Sequence, residues 1–334
     1  YAWKCVADTM MYKAGELNFN VKRRGFKQPN KTPVITSEDV RLLIKDLSLT
    51  RRNLLGKVLE QFDLIGLFEP LRVRYKISLS LLSGLDYDFP IMDTLREKWV
   101  ENLMIMHESK NLECSRSVIH EDAVNPDELE LICCADAASV MAGCVLYVRV
   151  KLPDGGYSVR MLTARSKTSR LSIPRNELVG CMLCAETAFI AVKALENRVA
   201  RIIFVTDSAI ALCWLNNEDL KLKQFVFSRV MQTRRLIGSN SFYLIPGSEN
   251  PADLVTRGEC NVDDVGPGSV WQDGPAWMYS NLEEMPLRSY EKVCSDLTPQ
   301  DVDTVEHEVH PSIPGVHYTY DGVLDEESQC FCVQ

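Results

Sequence analysis

Four carboxylates occupy positions from which acidic side chains could act together. Asp136 and Asp207 each end an apolar run. Glu177 falls in the first turn of a predicted helix, and Asp253 begins a later one. Strand ends and the starts of helices packed on them meet at one edge of an α/β sheet, so these side chains are predicted to converge. Converging carboxylates repel one another unless divalent cations lie between them. The pattern is typical of a phosphodiester-hydrolysing site that holds two metal ions about 3.5–4 Å apart.

Each acid taken alone has an ordinary structural explanation. An aspartate at the end of a strand is most often a turn residue, which would account for Asp136 and Asp207. Acids are favoured in the first turn of a helix, which would account for Glu177 and Asp253. The functional prediction therefore depends on the joint occurrence of the four acids, in this order and on these elements.

The elements that must position these acids follow from the hydrophobic pattern of residues 129–257. Apolar or alternating runs predict three antiparallel strands joined by short turns, and then two strands separated by helices. The predicted strands cover residues 129–136, 143–150, 157–163, 201–207 and 241–245. The predicted helices cover residues 175–196, 210–215, 223–237 and 251–257, and Pro174 opens the longest of them. This order predicts an α/β fold with a mixed five-stranded sheet and flanking helices.

The residues before this sheet predict a different organisation. Residues 1–35 indicate a short pair of strands followed by a basic loop, and helical periodicity dominates residues 36–125. Basic residues outnumber acidic ones among residues 1–81, which is typical of a surface that follows phosphates. A solvated charged face is the alternative explanation. The residues of the basic loop predicted to bind nucleic acid are Arg23, Arg24, Lys27 and Lys31.

Composition places the 334-residue chain among ordinary globular proteins with room for two domains. It is 46% hydrophobic and 25% charged, with a net charge of −9. Residues 293–334 contain acids but neither lysine nor arginine, so they form an acidic tail. No apolar run reaches the roughly 18–20 residues that a membrane span needs, and the N-terminus lacks the pattern of a signal peptide. Because the chain begins at Tyr1 rather than Met, we expect it to be a fragment of a longer polyprotein.

Four motifs resemble the ribonuclease H domain of reverse transcriptases, in the form carried by BEL/Pao-type LTR retrotransposons. They are residues 135–138 (Ala-Asp-Ala-Ala), 172–178 (Ser-Ile-Pro-Arg-Asn-Glu-Leu), 205–208 (Val-Thr-Asp-Ser) and 245–258 (Ile-Pro-Gly-Ser-Glu-Asn-Pro-Ala-Asp-Leu-Val-Thr-Arg-Gly). The resemblance implies a ribonuclease H-like fold and two bound Mg²⁺ ions, or Mn²⁺ in their place. It also implies that the catalytic and metal-binding residues are Asp136, Glu177, Asp207 and Asp253.

The resemblance extends over most of the chain and predicts four parts. Residues 1–35 resemble the end of the polymerase palm and thumb-like strands, residues 36–125 the helical connection region, and residues 126–262 the ribonuclease H-like domain. Residues 263–334 are predicted to be an acidic tail that leads toward an integrase region. The implied partners are an RNA–DNA hybrid and the polymerase and integrase parts of the same polyprotein, with no membrane. The expected location is the cytoplasm, including virus-like particles, with entry into the nucleus.

Two departures from the family limit what the resemblance implies. The polymerase's own pair of catalytic aspartates is absent, because Asp86 and Asp88 lie in a predicted loop, so the chain is not expected to polymerise DNA. Many relatives carry a histidine at the position of Leu244, and its loss is expected to slow turnover. This segment of such elements is sometimes labelled a peptidase. The sequence has no Asp-Thr-Gly or Asp-Ser-Gly triplet, so peptidase activity is not predicted.

Three functions compete for this sequence. The first is a metal-dependent endonuclease that cuts the RNA strand of RNA–DNA hybrids, and the four intact acids favour it. The second is a catalytically silent connection module that binds nucleic acid and positions a template–primer duplex. The third is an integrase-like nuclease of related fold, whose acids differ in order and spacing.

Overall fold

The computed structural model describes residues 49–309 except 61–62, 110–111, 116, 197 and 219, together with residues 4–6, 9–11 and 41. Its strands are β1 (Lys4–Val6), β2 (Thr9–Met11), β3 (Glu113–Ser115), β4 (Leu129–Ala137), β5 (Met141–Lys151), β6 (Tyr157–Thr168), β7 (Val199–Thr206) and β8 (Phe242–Leu244). Its helices are α1 (Arg51–Glu60), α2 (Glu69–Leu81), α3 (Asp93–Glu108), α4 (Ile173–Ala194), α5 (Ala209–Asn216), α6 (Gln224–Ile237), α7 (Val270–Asp273), α8 (Tyr290–Cys294) and α9 (Pro299–His307). The predicted basic loop with Arg23, Arg24, Lys27 and Lys31 lies outside the described residues.

The predicted mixed five-stranded sheet is confirmed. Its strands lie in the order β6-β5-β4-β7-β8. Strand β5 is antiparallel to both of its neighbours, β4 and β6, whereas β7 runs parallel to β4 and β8 runs parallel to β7. The long connection through α4 allows β7 to return in the same direction as β4, as a parallel pair requires. The parallel pairing brings the ends of β4 and β7 to the same edge of the sheet.

One face of the sheet packs on the helices that follow β6. Along β4, Leu131, Cys133 and Ala135 face α4, α5 and α6, and all three are fully buried. The intervening residues Ile132 and Cys134 point to the opposite face and are equally buried. Successive side chains of a strand alternate between faces. A strand that is apolar on both faces, as β4 is, therefore needs protein on both sides.

The opposite face of the sheet is covered by one segment that precedes the sheet in the chain and by another that follows it. Phe68 and Leu71 reach it from the helical region, and Trp271 and Met278 reach it from beyond residue 262. The indole Nε1 of Trp271 donates a hydrogen bond of 2.9 Å to the carbonyl oxygen of Leu67, which joins the two segments directly. The helical region and the first part of the predicted acidic tail therefore both contribute to the core of the fold.

The helical character predicted for residues 36–125 agrees with α1, α2 and α3, which enclose a core of their own around Tyr75 and Trp99. The first part of that region, residues 36–48, lies outside the described residues apart from residue 41. Near the N-terminus the structure pairs β1 with β2, and β2 with β3. The sequence predicts a pair of strands within residues 1–35, of which the structure describes residues 4–6 and 9–11. The strand β3 was not predicted, because three residues carry too little pattern.

Two elements near the acids differ from the sequence prediction. Strand β6 continues to Thr168, beyond its predicted end at residue 163, and pairs with β5 across an irregularity at Leu146 and Tyr147. The last predicted helix is instead a short 3₁₀ turn, Pro251–Val255. Proline at its start and the side chain of Asn250, which accepts a hydrogen bond from the amide of Ala252, define where this turn begins.

Segments from outside the sheet pair with its outermost strands. The amide of Ala164 in β6 donates to the carbonyl oxygen of Ile65 at 2.8 Å. In β8, Leu244 exchanges two hydrogen bonds of 2.9 Å with the backbone of Arg288. Among the described residues, no helix is both long enough and apolar enough to cross a membrane.

Candidate active site

Asp136 lies near the end of β4, in the middle of the sheet. It is only 6% exposed, and its carboxylate accepts a hydrogen bond from the hydroxyl of Thr256. Its register partner on β5 is Gly143. A Cβ atom on Gly143 would lie 2.6 Å from Cγ2 of Val255, so the absence of a side chain lets the 3₁₀ turn of residues 251–255 approach the sheet beside Asp136.

Asp207 follows β7 directly and is tied to the same 3₁₀ turn. The side-chain amide of Asn250, which is 3% exposed, donates to the carbonyl oxygen of Ala135 at 2.9 Å and to Oδ1 of Asp207 at 3.4 Å. The charge of Asp207 also raises the pKa of Asp136, so the two carboxyl groups lie within electrostatic reach of each other. The two strand ends thus bring the two aspartates together, as the sequence predicted.

Glu177 is the fifth residue of α4 and lies just beyond the first turn, in which the sequence placed it, because the helix begins two residues earlier than predicted. Its carboxylate accepts a hydrogen bond from the hydroxyl of Ser208, the N-cap residue of α5. The neighbouring Asn176 is fully buried and donates to the carbonyl oxygen of Ala138 at 2.8 Å, which fixes the helix start to the turn after β4. One helical turn later, a Cβ atom on Gly180 would lie 2.7 Å from the carbonyl oxygen of Asp136. Glycine at this position therefore allows α4 to lie directly against the strand end.

The pKa values show that three of these acids share a buried, negatively charged environment. Burial, followed by the charges of Asp207 and Asp253, raises the pKa of Asp136 to about 7. Burial, and then the charges of Asp207 and Asp136, raises the pKa of Glu177 to about 7, although the hydrogen bond from Ser208 opposes the shift. The pKa of Asp207 is also raised, mainly by burial, and hydrogen bonds such as that from Asn250 partly offset the rise.

Asp253, the fourth predicted acid, stands at the rim of this cluster. Its side chain is 31% exposed and pairs with Arg257 four residues later. Its charge raises the pKa of both Asp136 and Asp207, which places it within electrostatic reach of them. The structure therefore brings the four predicted acids into one electrostatically coupled group, with three buried members and one at the surface.

The chemistry of this group fits a hard divalent cation. All its donors are carboxylate oxygens, the ligand type that Mg²⁺ takes, and their repulsion is what a cation between them would relieve. In the part of the chain that the structure describes, however, no three His, Cys, Asp or Glu side chains stand as a ready-made set of metal ligands. Several of these carboxylates already accept hydrogen bonds from protein groups. Metal binding would therefore require the carboxylate side chains to change rotamer.

Comparison with known proteins gives a family match over part of the chain. Residues 50–208 match the family model of the Pao retrotransposon-like RNaseH-like domain. These residues form a Pao-type RNase H-like region. The match begins with the helices α1–α3 and ends at Ser208, so Asp253 lies beyond it. No curated protein matches the chain.

Two solved structures are similar to part of the chain. The N-terminal RNase H domain of a Mycobacterium tuberculosis protein, solved as a fusion with maltose-binding protein, is 14% identical, with a TM-score of 0.30, and the match covers 41% of this chain and 96% of that one. RNase H1 from the halophilic archaeon Halobacterium salinarum NRC-1 is also 14% identical, with a TM-score of 0.25, and the match covers 37% of this chain and 90% of that one.

A basic groove lies on the surface of the RNase H-like region. It encloses about 720 Å³ between α2 and β6, and no Asp or Glu is among the described residues that line it. Its four cations are Arg51, Lys76, Lys167 and Arg170. Glu69 pairs with Lys76, whereas the side chains of Lys167 and Arg170 are exposed. The groove includes Ser169, whose carbonyl oxygen accepts a hydrogen bond from the side chain of Asn176, the residue before Glu177.

The residues that the sequence interpretation missed are the ones that orient the acids. They are Asn176, Ser208, Asn250 and Thr256, and all four are buried. Asn176 and Ser208 each adjoin a predicted acid in the chain, and the other two fall inside the motif of residues 245–258, so a search for polar neighbours of the acids would have found them. The four cations of the basic groove come from distant parts of the sequence and had no such signal.

Leu244, the position at which the family resemblance implies a histidine, packs at the edge of the core. Its side chain is half-buried against the apolar cluster between the sheet and the helices α4–α6. In the parallel pairing of β7 and β8 it is the register partner of Thr206, the residue before Asp207. Leu244 therefore stabilises the strand that supports the site.

Proposed function

We propose that this chain is a metal-dependent endonuclease that cleaves the RNA strand of RNA–DNA hybrids, as part of a retrotransposon reverse transcriptase polyprotein. The observation that supports it best is the convergence of Asp136, Glu177 and Asp207, three buried carboxylates whose pKa values are raised. An uncompensated cluster of this kind destabilises the fold, and perturbed acids of this kind gather at functional sites. Catalysis is therefore the best explanation for a cluster that costs the fold stability.

In this proposal Asp136, Glu177, Asp207 and Asp253 hold Mg²⁺, or Mn²⁺ in its place. Bound there, the cations would supply an activated water and neutralise charge on the cleaved phosphate. The surrounding residues keep the acids in place: Asn250 holds the ends of β4 and β7 at a fixed separation. The position of Asp253 at the rim makes it the acid that is most accessible to solvent and substrate.

The substrate would be recognised by its backbone. Proteins that bind double-stranded RNA and hybrids recognise shape, phosphates and 2′-hydroxyls more than base sequence. The exposed cations Lys167 and Arg170 of the basic groove offer such a backbone contact. The four basic residues predicted from the sequence, Arg23, Arg24, Lys27 and Lys31, would supply further phosphate contacts. We further propose that the chain acts in the cytoplasm alongside the polymerase and integrase parts of its polyprotein.

A specific observation favours a second candidate function, a catalytically silent module that binds nucleic acid. Asp253 pairs with Arg257, and Asp136 and Glu177 accept hydrogen bonds from Thr256 and Ser208. These contacts give each of the three acids a partner from the protein itself, although burial still raises the pKa of Asp136 and of Glu177. In a silent module the basic groove would still bind a template–primer duplex, and the acids would have only a structural role.

A cleavage assay distinguishes the two functions. A hybrid carrying label on its RNA strand is incubated with the full chain, with and without Mg²⁺ or Mn²⁺, and with the variants Asp136→Asn and Asp207→Asn. Asp154→Asn is the matched control, because Asp154 is an exposed aspartate in the turn after β5. The endonuclease predicts metal-dependent cleavage that both site variants abolish and the control retains. Binding of hybrid without cleavage under any metal condition would support the silent module.

A further inference from the structure

The C-terminal part of the described chain is anchored beside the start of α4. The backbone carbonyl of Glu308 accepts a hydrogen bond of 2.7 Å from the amide of Lys223. The indole Nε1 of Trp214 lies 3.4 Å from the carbonyl oxygen of Val305 in α9. Glu308 is 5% exposed and Val305 is 8% exposed, so this segment packs on the RNase H-like region instead of extending into solvent.

The strongest contact of this segment is an ion pair between Glu308 and Arg175. Nε of Arg175 donates to Oε1 of Glu308 and Nη2 donates to Oε2, each at 2.9 Å. Two parallel hydrogen bonds between a guanidinium and a carboxylate are geometrically specific and stronger than neutral ones. The Glu308 side chain is 7% exposed and that of Arg175 is 31% exposed, so solvent screens this pair less than an ordinary surface pair.

Arg175 lies in the first turn of α4, two residues before Glu177. Neighbouring residues of a helix point about 100° apart, because 3.6 residues complete a turn. Arg175, Asn176 and Glu177 accordingly contact three different parts of the protein: the segment at the end of α9, the turn after β4, and the start of α5. The N-cap residue of this helix, Ser172, makes no side-chain capping hydrogen bond. The position of the first turn therefore depends on these long-range contacts.

We propose that Glu308 is a positioning residue for Glu177, and that the segment from Pro299 to Val309 is a required part of the acidic site. Asn176 fixes the start of α4 to the turn after β4. The ion pair between Arg175 and Glu308 is a second, separate contact that fixes the same first turn. This inference rests on the proposed function for the role of Glu177. The effect of the Arg175–Glu308 ion pair on the start of α4 can be measured without catalysis.

The test compares variants of the full chain. Glu308→Gln removes the charge, Arg175→Lys keeps a charge but removes the two parallel hydrogen bonds, and the double variant Arg175→Glu with Glu308→Arg restores the pair in reverse. Asp296→Asn is the matched control, because it removes an exposed acid from an ion pair with Arg288 in the same C-terminal segment. The readouts are Mn²⁺ affinity by calorimetry, kcat and KM for the hybrid, and hydrogen exchange of residues 173–178.

Glu308→Gln and Arg175→Lys should weaken Mn²⁺ binding and lower kcat by roughly 10- to 100-fold, the usual cost of removing a partner behind a metal ligand. KM should stay unchanged, because the basic groove is untouched. Hydrogen exchange of residues 173–178 should quicken, and the reversed pair should recover part of each effect. Unchanged Mn²⁺ affinity, kcat and exchange in both single variants would overturn the proposal, whatever happens to thermal stability.

The proposed function can fail separately. If the wild-type chain neither binds Mn²⁺ nor cleaves hybrid, the proposed endonuclease function is wrong. Hydrogen exchange alone then tests whether Glu308 positions the start of α4. Faster exchange at residues 173–178 in Glu308→Gln, with wild-type exchange in Asp296→Asn, would then support it. Equal exchange in both variants would refute it.

Discussion

Asn250 donates a hydrogen bond to the carboxylate of Asp207 at 3.4 Å, with the same amide group that binds the backbone of β4 at 2.9 Å. One side chain therefore spans the two strand ends that carry Asp136 and Asp207. Its carbonyl oxygen accepts a hydrogen bond from the amide of Ala252 and so starts the 3₁₀ turn that carries Asp253. Three of the four acids depend on this one residue for their relative position.

Replacing Asn250 should therefore disrupt the site. Asn250→Ala leaves the carbonyl oxygen of Ala135 and the amide of Ala252 without these partners, which should cost about 1–3 kcal/mol of unfolding free energy. Asn250→Asp keeps an acceptor for Ala252 but faces Asp207 with a second negative charge, so hybrid cleavage should fall further than in Asn250→Ala. Denaturant unfolding and cleavage rates measure the two effects. Wild-type cleavage by Asn250→Asp would contradict this role.

The close approach of α4 to β4 should make Gly180 intolerant of substitution. In Gly180→Ala the new methyl group would lie 2.7 Å from the carbonyl oxygen of Asp136, so the helix must move. We expect a decrease of about 1–3 kcal/mol in unfolding free energy and slower cleavage. Gly56→Ala in α1 is the matched control, because nothing lies within 4 Å of its Cβ position. The control should gain up to about 1 kcal/mol from helix propensity, and equal effects of the two substitutions would refute the packing argument.

The sheet and its acids could be predicted from the sequence because both are local signals. The apolar runs before Asp136 and Asp207 indicate strands buried on both faces, and Pro174 with the helical period after it indicates α4. The contacts that orient the acids are not local. Asn250 and Ala135 are 115 residues apart in the chain, and Arg175 and Glu308 are 133 apart, so no periodic pattern connects them. The short 3₁₀ turn that replaced the last predicted helix also reflects tertiary packing, against Gly143.

The stability of the metal-free protein should fall as pH rises. The folded-state pKa of Asp136 is about 7, above its ordinary value of 3.8, so between these values the folded protein binds more protons than the unfolded chain. The unfolding free energy then decreases with increasing pH. The stabilising contribution of protonated Asp136 to the unfolding free energy is complete below about pH 4. It disappears as the pH rises through the folded-state pKa. Melting temperatures in EDTA, measured from acidic to mildly alkaline pH, should show a shallower fall in Asp136→Asn than in wild type.

Added Mg²⁺ supplies the control for this pH dependence. If a cation neutralises the acids, the fall in melting temperature of the wild type should become smaller with Mg²⁺, while Asp136→Asn should respond less. Asp154→Asn should keep the wild-type pH profile in both conditions. Identical profiles of wild type and Asp136→Asn in EDTA would mean that the carboxylate does not titrate as its environment indicates.

The basic groove should contribute to hybrid binding through its exposed cations. Neutralising Lys167 and Arg170 together, each to Gln, should weaken binding and flatten its salt dependence by a slope of roughly 0.9 for each phosphate that is no longer neutralised, on the scale of B-form DNA. Lys151→Gln is the control, because Lys151 is exposed at the far end of the β5–β6 hairpin. Fluorescence anisotropy over a range of salt concentrations measures both the affinity for hybrid and the slope of its salt dependence. A salt slope equal to that of the control would show that these cations only face solvent.

Leu244→His should not restore a family histidine. Because the leucine side chain packs on the apolar cluster beneath α4–α6, a polar ring there should lower the unfolding free energy by about 1–3 kcal/mol. Cleavage should not quicken. Leu244→Met, which conserves volume and polarity, is the matched control and should stay near wild type. A faster reaction in the histidine variant would show instead that position 244 reaches the acids.

Both outermost strands of the five-stranded sheet are blocked by backbone from elsewhere in the chain. Ile65 pairs with Ala164 on β6, and Arg288 pairs with Leu244 on β8. An uncovered edge strand offers free amides and carbonyls on which a second molecule can add a strand and start aggregation. The folded chain withholds these groups at both points. Addition of a foreign strand at these two points would therefore require prior detachment of the segment around Ile65 or around Arg288, and deleting either segment should leave free backbone groups on the outer strand there.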